Sequence, residues 1–77
     1  MQIEVRIFGD LRKSVKGSEK PLTIALHRDA TVGDLLKAVS IPQERVKVIF
    51  VNARQEKADH RLEEGDRVGI FPPSGGG

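Results

Sequence analysis

Pro72 and Pro73 are followed by Ser74, Gly75, Gly76 and Gly77, so the stiffest residues of the chain lead directly into its least encumbered ones. Proline holds φ near −65° and favours an extended path, which directs the chain away from whatever precedes it. Four extended residues after Pro73 add about 13–14 Å of reach. Glycine has no Cβ, and successive glycines make the narrowest peptide available for entering a channel in another protein. A carboxyl carbon on Gly77 is uncrowded and open to acyl chemistry that a β-branched residue would hinder. A glycine run alone also fits a frayed end. Phe71 and the two prolines directly upstream favour a delivered group instead.

Other chemistry-bearing residues are sparse. Ser74 lacks a nearby His/Asp pair in sequence to orient and activate it, so it reads as a polar spacer. His27 and His60 stand alone, without an H-x-x-x-H pair, and the chain has no cysteine, so no zinc site and no other metal site is expected. Glu63, Glu64 and Asp66 surround Gly65, a pattern that reads as a turn with Gly65 at positive φ more simply than as a cation site. No phosphate-cradling loop motif is present, and the glycine run opens no helix. No cofactor is therefore expected on the chain itself.

Seventy-seven residues fit one small domain. A core of that size hides only about 60–65% of the unfolded chain's surface. The absence of cysteine excludes a disulfide framework and a catalytic or carrier thiol, and fits a cytoplasmic protein. No signal-peptide core and no apolar run of bilayer length occur, so no membrane association is expected. Net charge is +2, and the cluster Arg12, Lys13, Lys16 and Lys20 reads as a solvated loop. Three Phe without Trp or Tyr give no aromatic platform between basic residues, which argues against nucleic-acid binding.

Hydrophobic periodicity supplies the elements that must hold the tail. Ile3, Val5 and Ile7 alternate with polar residues, predicting a first strand, and Leu22, Ile24 and Leu26 predict a second, antiparallel to it. The polar stretch from Asp10 to Pro21 reads as a loop or hairpin connection. Val32, Leu35, Leu36 and Val39 form a helical stripe, with Thr31 as N-cap and Asp34 completing a capping-box-like pair. Gly33 weakens the first turn, and Pro42 ends the helix by restricting the residue before it. Residues 46–52 form the most apolar run and predict a more central strand; a turn, a short edge strand and a last strand with Val68 and Ile70 on one face follow. Phe8, Phe50 and Phe71 read as core, although the sheet face that a single helix leaves open has room for apolar side chains that dock a partner. The order predicts an α+β fold, one helix packed across one face of a small mixed sheet.

The runs FGDLR, ATVGDLL and LEEGDRVGIFPPSGGG, with VN closing the third strand, resemble the ubiquitin-like sulfur carriers of the MoaD/ThiS group. Within that group the match is best to the small, non-catalytic subunit of molybdopterin synthase. The resemblance spans nearly the whole chain and implies a β-grasp domain over residues 1–72 with a tail over 73–77. It also implies that an E1-like adenylyltransferase uses ATP to adenylate the Gly77 carboxylate. A sulfur donor system then converts the adenylate to a thiocarboxylate. Pro72, Pro73, Ser74, Gly75 and Gly76 would insert into the large subunit of molybdopterin synthase, where sulfur passes to a cyclic pyranopterin, and Phe8 and Phe71 would dock the partner. Relatives often carry Val at the position of Ser74, and Ala or Ser at that of Gly75. Two other roles share this chemistry: a carrier for thiamin-thiazole formation, and a protein modifier joined to lysines.

Overall fold

Alternation of apolar and polar residues builds five strands: β1 (Gln2–Ile7), β2 (Leu22–Ala25), β3 (Val48–Val51), β4 (Arg54–Glu56) and β5 (Arg67–Phe71). The computed structural model describes residues 1–73. The strands form one sheet in the order β2-β1-β5-β3-β4. β1 and β5 are parallel, while the β1–β2, β3–β5 and β3–β4 pairs are antiparallel. The register aligns Val5, Val68 and Val51 in one row and Ile7, Ile70 and Ile49 in the next. Both rows are buried, and with Ile3 they make the sheet half of the core. Because side chains alternate faces along a strand, Arg6, Gly69 and Phe50 form the matching row on the opposite face.

Helix α1 (Val32–Ala38) supplies the other half through Val32, Leu35 and Leu36, with Val39 just beyond its end. Its entrance leaves no early donor unused. Val32 N–H donates to the His60 carbonyl, Gly33 N–H to that of Ala58, and Leu35 N–H to that of Thr31. Asp34 N–H donates to the Thr31 hydroxyl, while the Asp34 carboxylate accepts the Thr31 N–H at 2.9 Å, completing the expected capping box. Gly33 also has a packing reason. A Cβ there would stand 3.4 Å from the Ala58 carbonyl oxygen, so the loop backbone lies against the first turn.

The helix stops earlier than Pro42 requires. Ser40 takes a left-handed conformation (φ 60°), Ser40 N–H bonds the Lys37 carbonyl and Ile41 N–H bonds that of Leu36. This is the Schellman arrangement with serine where glycine is usual, and buried Ile41 supplies its apolar contact.

One element differs from expectation. Residues 9–20 hold a 3₁₀ segment (Gly9–Ser14) whose Leu11 enters the core, with Ser18 buried behind it. The Ser18 hydroxyl bonds the Val15 carbonyl at 2.6 Å and lies 3.0 Å from that of Arg12, closing the loop before β2. β3 is an interior strand, as expected, with β5 and β4 as its neighbours, while β5 holds the middle of the sheet. β3 looks central in sequence because it is apolar on both faces: Ile49 and Val51 enter the core, while Val48 and Phe50 are half-buried on the other side.

Candidate functional site

The expected site lies where β5 ends. Lys47 N–H donates to the Phe71 carbonyl at 2.8 Å, the last backbone bond of that strand pair. Pro72 and Pro73 follow without N–H donors, so neither can donate a rung to the sheet. Pro72 is half-buried and Pro73 exposed. Ser74, Gly75, Gly76 and Gly77, the remainder of the expected tail and its reactive end, lie outside the described residues.

The root of this exit is clamped by the end of β1. Phe8 N–H donates to the Ile70 carbonyl at 3.0 Å, and the Phe8 and Phe71 rings stack with centroids 4.2 Å apart and planes 3° from parallel. Phe50 meets Phe71 edge-on at 5.7 Å. Gly9, next in chain, has φ +65°, and a Cβ built on it would lie 2.7 Å from Pro72 Cγ. Proline ring and glycine backbone are thus in direct contact.

All three phenylalanines sit half-buried on the sheet face opposite α1, which corrects their reading as core. Together with Glu4, Arg6, Arg67 and Gly69 they line a shallow hollow of 310 Å³. Gly69 forms its floor, because a Cβ there would press to 3.2 Å from the Phe71 ring. Arg6 lies 3.5 Å from the Glu4 carboxylate, and Arg67 is exposed on the rim. The sequence reading picked out Phe8 and Phe71 but missed Gly9, Gly69, Arg6 and Arg67. The available signal was a glycine inside a strand pattern, which marks a close approach.

The remaining candidates serve the scaffold. Arg12, Lys13, Lys16 and Lys20 are all exposed, in keeping with a solvated loop. His27 is exposed, with Nε2 3.6 Å from Asp34; His60, expected at the surface, is half-buried with Nδ1 3.3 Å from Glu56. The Asp34 carboxyl is held below its usual range mainly because it accepts the Thr31 backbone N–H. Gly65 has φ +82°, as its turn requires. The Asp66 carboxylate accepts from Asn52 Nδ2 and from Glu63 N–H, each at 2.8 Å, while Glu64 Oε1 accepts Gln2 N–H. These carboxylates are engaged in hydrogen bonds, and among the described residues no three His, Cys, Asp or Glu side chains converge to hold a metal ion. No helix among the described residues is long and apolar enough to cross a membrane.

The profile of the Mut7-C ubiquitin family matches residues 1–75. The chain belongs to that family. This Mut7-C ubiquitin chain is similar over 95% of its length, at 30% identity and a TM-score of 0.75, to a Pyrococcus furiosus protein assigned as molybdopterin converting factor subunit 1, 98% of which is covered. A chain from the Helicobacter pylori complex of subunits 1 and 2 of molybdopterin-converting factor is 26% identical, with both chains fully covered and a TM-score of 0.61. SAMP1, the small archaeal modifier protein 1 of Haloferax volcanii, has a TM-score of 0.77 at 24% identity, again over the whole of both chains, which is a likeness of fold. Comparison with curated protein sequences gave no match. The ubiquitin-like β-grasp fold and membership of the MoaD/ThiS sulfur-carrier group both follow, as the sequence resemblance implied.

Proposed function

We propose that this Mut7-C ubiquitin chain is a cytoplasmic sulfur carrier for molybdopterin biosynthesis, a cosubstrate rather than an enzyme. Residues 1–72 form its body, residues 73–77 its delivery tail, and the Gly77 carboxylate is the reactive group. An oxygen of that carboxylate attacks the α-phosphorus of ATP on an E1-like adenylyltransferase, and pyrophosphate leaves. Sulfide sulfur from a donor system then attacks the acyl carbon and AMP leaves, which yields the thiocarboxylate. In the large subunit of molybdopterin synthase the sulfur passes to a pyranopterin, and water restores the carboxylate. Phe8 and Phe71 dock the partner while Pro72 to Gly76 enter its channel.

One observation carries this reading: the last strand of a sulfur-carrier-type domain ends at the Lys47–Phe71 bond and continues straight into two prolines. The likeness to a chain of the Helicobacter pylori two-subunit complex supports a large-subunit partner. Intact-mass measurement after incubation with the organism's E1-like enzyme, ATP and a sulfur source tests it. The expected product is heavier by the difference between sulfur and oxygen and is lost when Gly77 is deleted. An unchanged mass under conditions where the enzyme turns over ATP would overturn it.

The fold likeness to SAMP1 favours a second reading, a protein modifier whose activated Gly77 joins lysines through isopeptide bonds. Lysine conjugates trapped in cells support the modifier. Growth of a deletion strain restored by supplied molybdenum cofactor supports the carrier.

A further inference from the structure

We infer that Gly9 is a positioning residue for the activation of Gly77, because it sets the direction in which the chain leaves the sheet at Pro72. The inference rests on the carrier reading above. Three glycines among the described residues have positive φ: Gly9 (+65°), Gly17 (+80°) and Gly65 (+82°). A Cβ on Gly65 would meet nothing within 4 Å, and one on Gly17 would meet only a Leu22 methyl group at 3.9 Å. Those two glycines answer to backbone conformation alone. Gly9 answers to a neighbour as well, since its Cβ would stand 2.7 Å from Pro72 Cγ and 3.2 Å from Pro72 Cδ.

Pro72 has little freedom to absorb that pressure. Its ring is covalently closed on the backbone, so a change of pucker shifts Cγ only slightly and any larger displacement of the ring, Cδ included, moves the chain. On the upstream side, Phe71 is fixed by its carbonyl bond to Lys47 and by its stack on Phe8. On the Gly9 side, the 3₁₀ segment that Gly9 opens is anchored by buried Leu11. The contact is therefore between two held elements, and a side chain at position 9 is relieved by turning the chain at Pro72. Turning the chain at Pro72 shifts the point from which the residues after Pro73 set out toward a partner's active site, and a misplacement of about 1 Å in a reacting group costs up to about a hundredfold in rate. Phe8, Phe50 and Phe71 lie on the sheet face and remain available for docking, so the effect falls on the chemical step rather than on association.

Gly9→Asn isolates the Cβ, because asparagine tolerates the left-handed conformation while still meeting the proline ring. Gly65→Ala is the control for conformational strain without a tail contact. The assay is ATP–pyrophosphate exchange by the organism's E1-like adenylyltransferase with the full chain as substrate, paired with the nuclear Overhauser contact between Gly9 Hα and the Pro72 ring. Wild-type protein is expected to show that contact and to be activated. Gly9→Asn is expected to lose about tenfold or more in kcat with KM within about twofold, whereas Gly65→Ala keeps both. In a Pro72→Ala background the added effect of Gly9→Asn is expected to shrink to less than about threefold, the non-additivity of two groups in contact. Equal kcat for Gly9→Asn and active wild type, the same loss in the Pro72→Ala background, or no Gly9–Pro72 contact in wild type overturns the inference and leaves the carrier reading standing. Should Gly9→Asn not fold, Gly9→Ser takes its place with the same expectations. A wild-type chain that a working enzyme fails to activate overturns the carrier reading itself, and this inference with it.

Discussion

Asn52 donates its side-chain amide to the Asp66 carboxylate at 2.8 Å, and that bond ties the β3–β4 hairpin to the turn that launches β5. The same two residues complete a small network. Asn52 Oδ1 accepts Arg67 N–H at 3.0 Å, and Asp66 Oδ2 accepts Glu63 N–H at 2.8 Å. Asp66 is nearly buried, so removing its carboxylate leaves the Asn52 amide and the Glu63 N–H poorly satisfied. Asp66→Ala is expected to cost about 2–3 kcal/mol in urea unfolding, and less when Asn52 is already alanine.

Leu11 gives a second test. It lies in a stretch that reads as polar yet is 1% exposed. Leu11→Ala is expected to destabilise by about 2–4 kcal/mol, the range for a core cavity, while the same change at a loop leucine would be nearly silent. Equilibrium denaturation followed by circular dichroism distinguishes the two.

Four non-glycine residues have positive φ, Asp29, Ser40, Asn52 and Ala53; Asp and Asn tolerate that region, whereas at Ser40 and Ala53 glycine fits better. Ser40 (φ 60°) ends α1, and Ala53 (φ 71°) follows Asn52 (φ 50°) in the two-residue β3–β4 turn. Each conformation strains a residue with a Cβ by about 1–2 kcal/mol, part of which glycine gives back in unfolded-state entropy. Ser40→Gly and Ala53→Gly are each expected to stabilise the fold by about 0.5–1 kcal/mol, and additively, since they sit in separate turns. Thermal melts of the single and double variants check both claims.

The capping box predicts a pH dependence. The Asp34 carboxyl is held below its usual value chiefly by the Thr31 N–H, then by the Thr31 hydroxyl and the charges of His27 and Lys37, with burial opposing them. A carboxyl whose folded value is lowered contributes its full stabilisation above its unfolded value. That contribution disappears as pH falls through the lowered folded value. The stability that Asp34 contributes through its Thr31 bonds, relative to Asp34→Asn, is therefore expected to hold above the unfolded carboxyl value and to fall away in acid. Carbon NMR titration of the Asp34 carboxyl locates the window directly.

The aromatic clamp predicts coupling rather than simple additivity. Phe8 and Phe71 stack at 4.2 Å, and such pairs contribute about 0.5–1.5 kcal/mol beyond their buried area. Phe8→Leu and Phe71→Leu are expected to show a coupling of that size in a double-mutant cycle. No coupling would mean that the two rings act independently.

Local periodicity was enough for the strands, the helix and its cap, because inward residues at spacing two or at i, i+3, i+4 identify a face without reference to anything distant. Ile3, Val5 and Ile7, the stripe Val32–Leu35–Leu36–Val39 and the Thr31–Asp34 box all belong to this kind. The exit at Pro72 and Pro73 was legible for the same reason, since proline's stiffness and missing N–H are properties of the residue itself. The family resemblance rested on short runs of such residues.

What periodicity missed depends on partners far apart in the chain. Leu11 is one apolar residue among polar ones, and only the fold brings it beneath the sheet. The run at 46–52 is apolar on both faces because Phe50 joins Phe8 and Phe71 across strands that sequence cannot order. Gly9 and Pro72 are separated by most of the chain, and no local rule connects them. Residue chemistry alone determined a small α+β domain whose last strand runs into two prolines that cannot donate a bond to the sheet. The tertiary structure decided what lies against that exit, because parallel pairing of the first and last strands places Phe8 and Gly9 against Phe71 and Pro72, and contacts of that kind exist only once distant segments have packed.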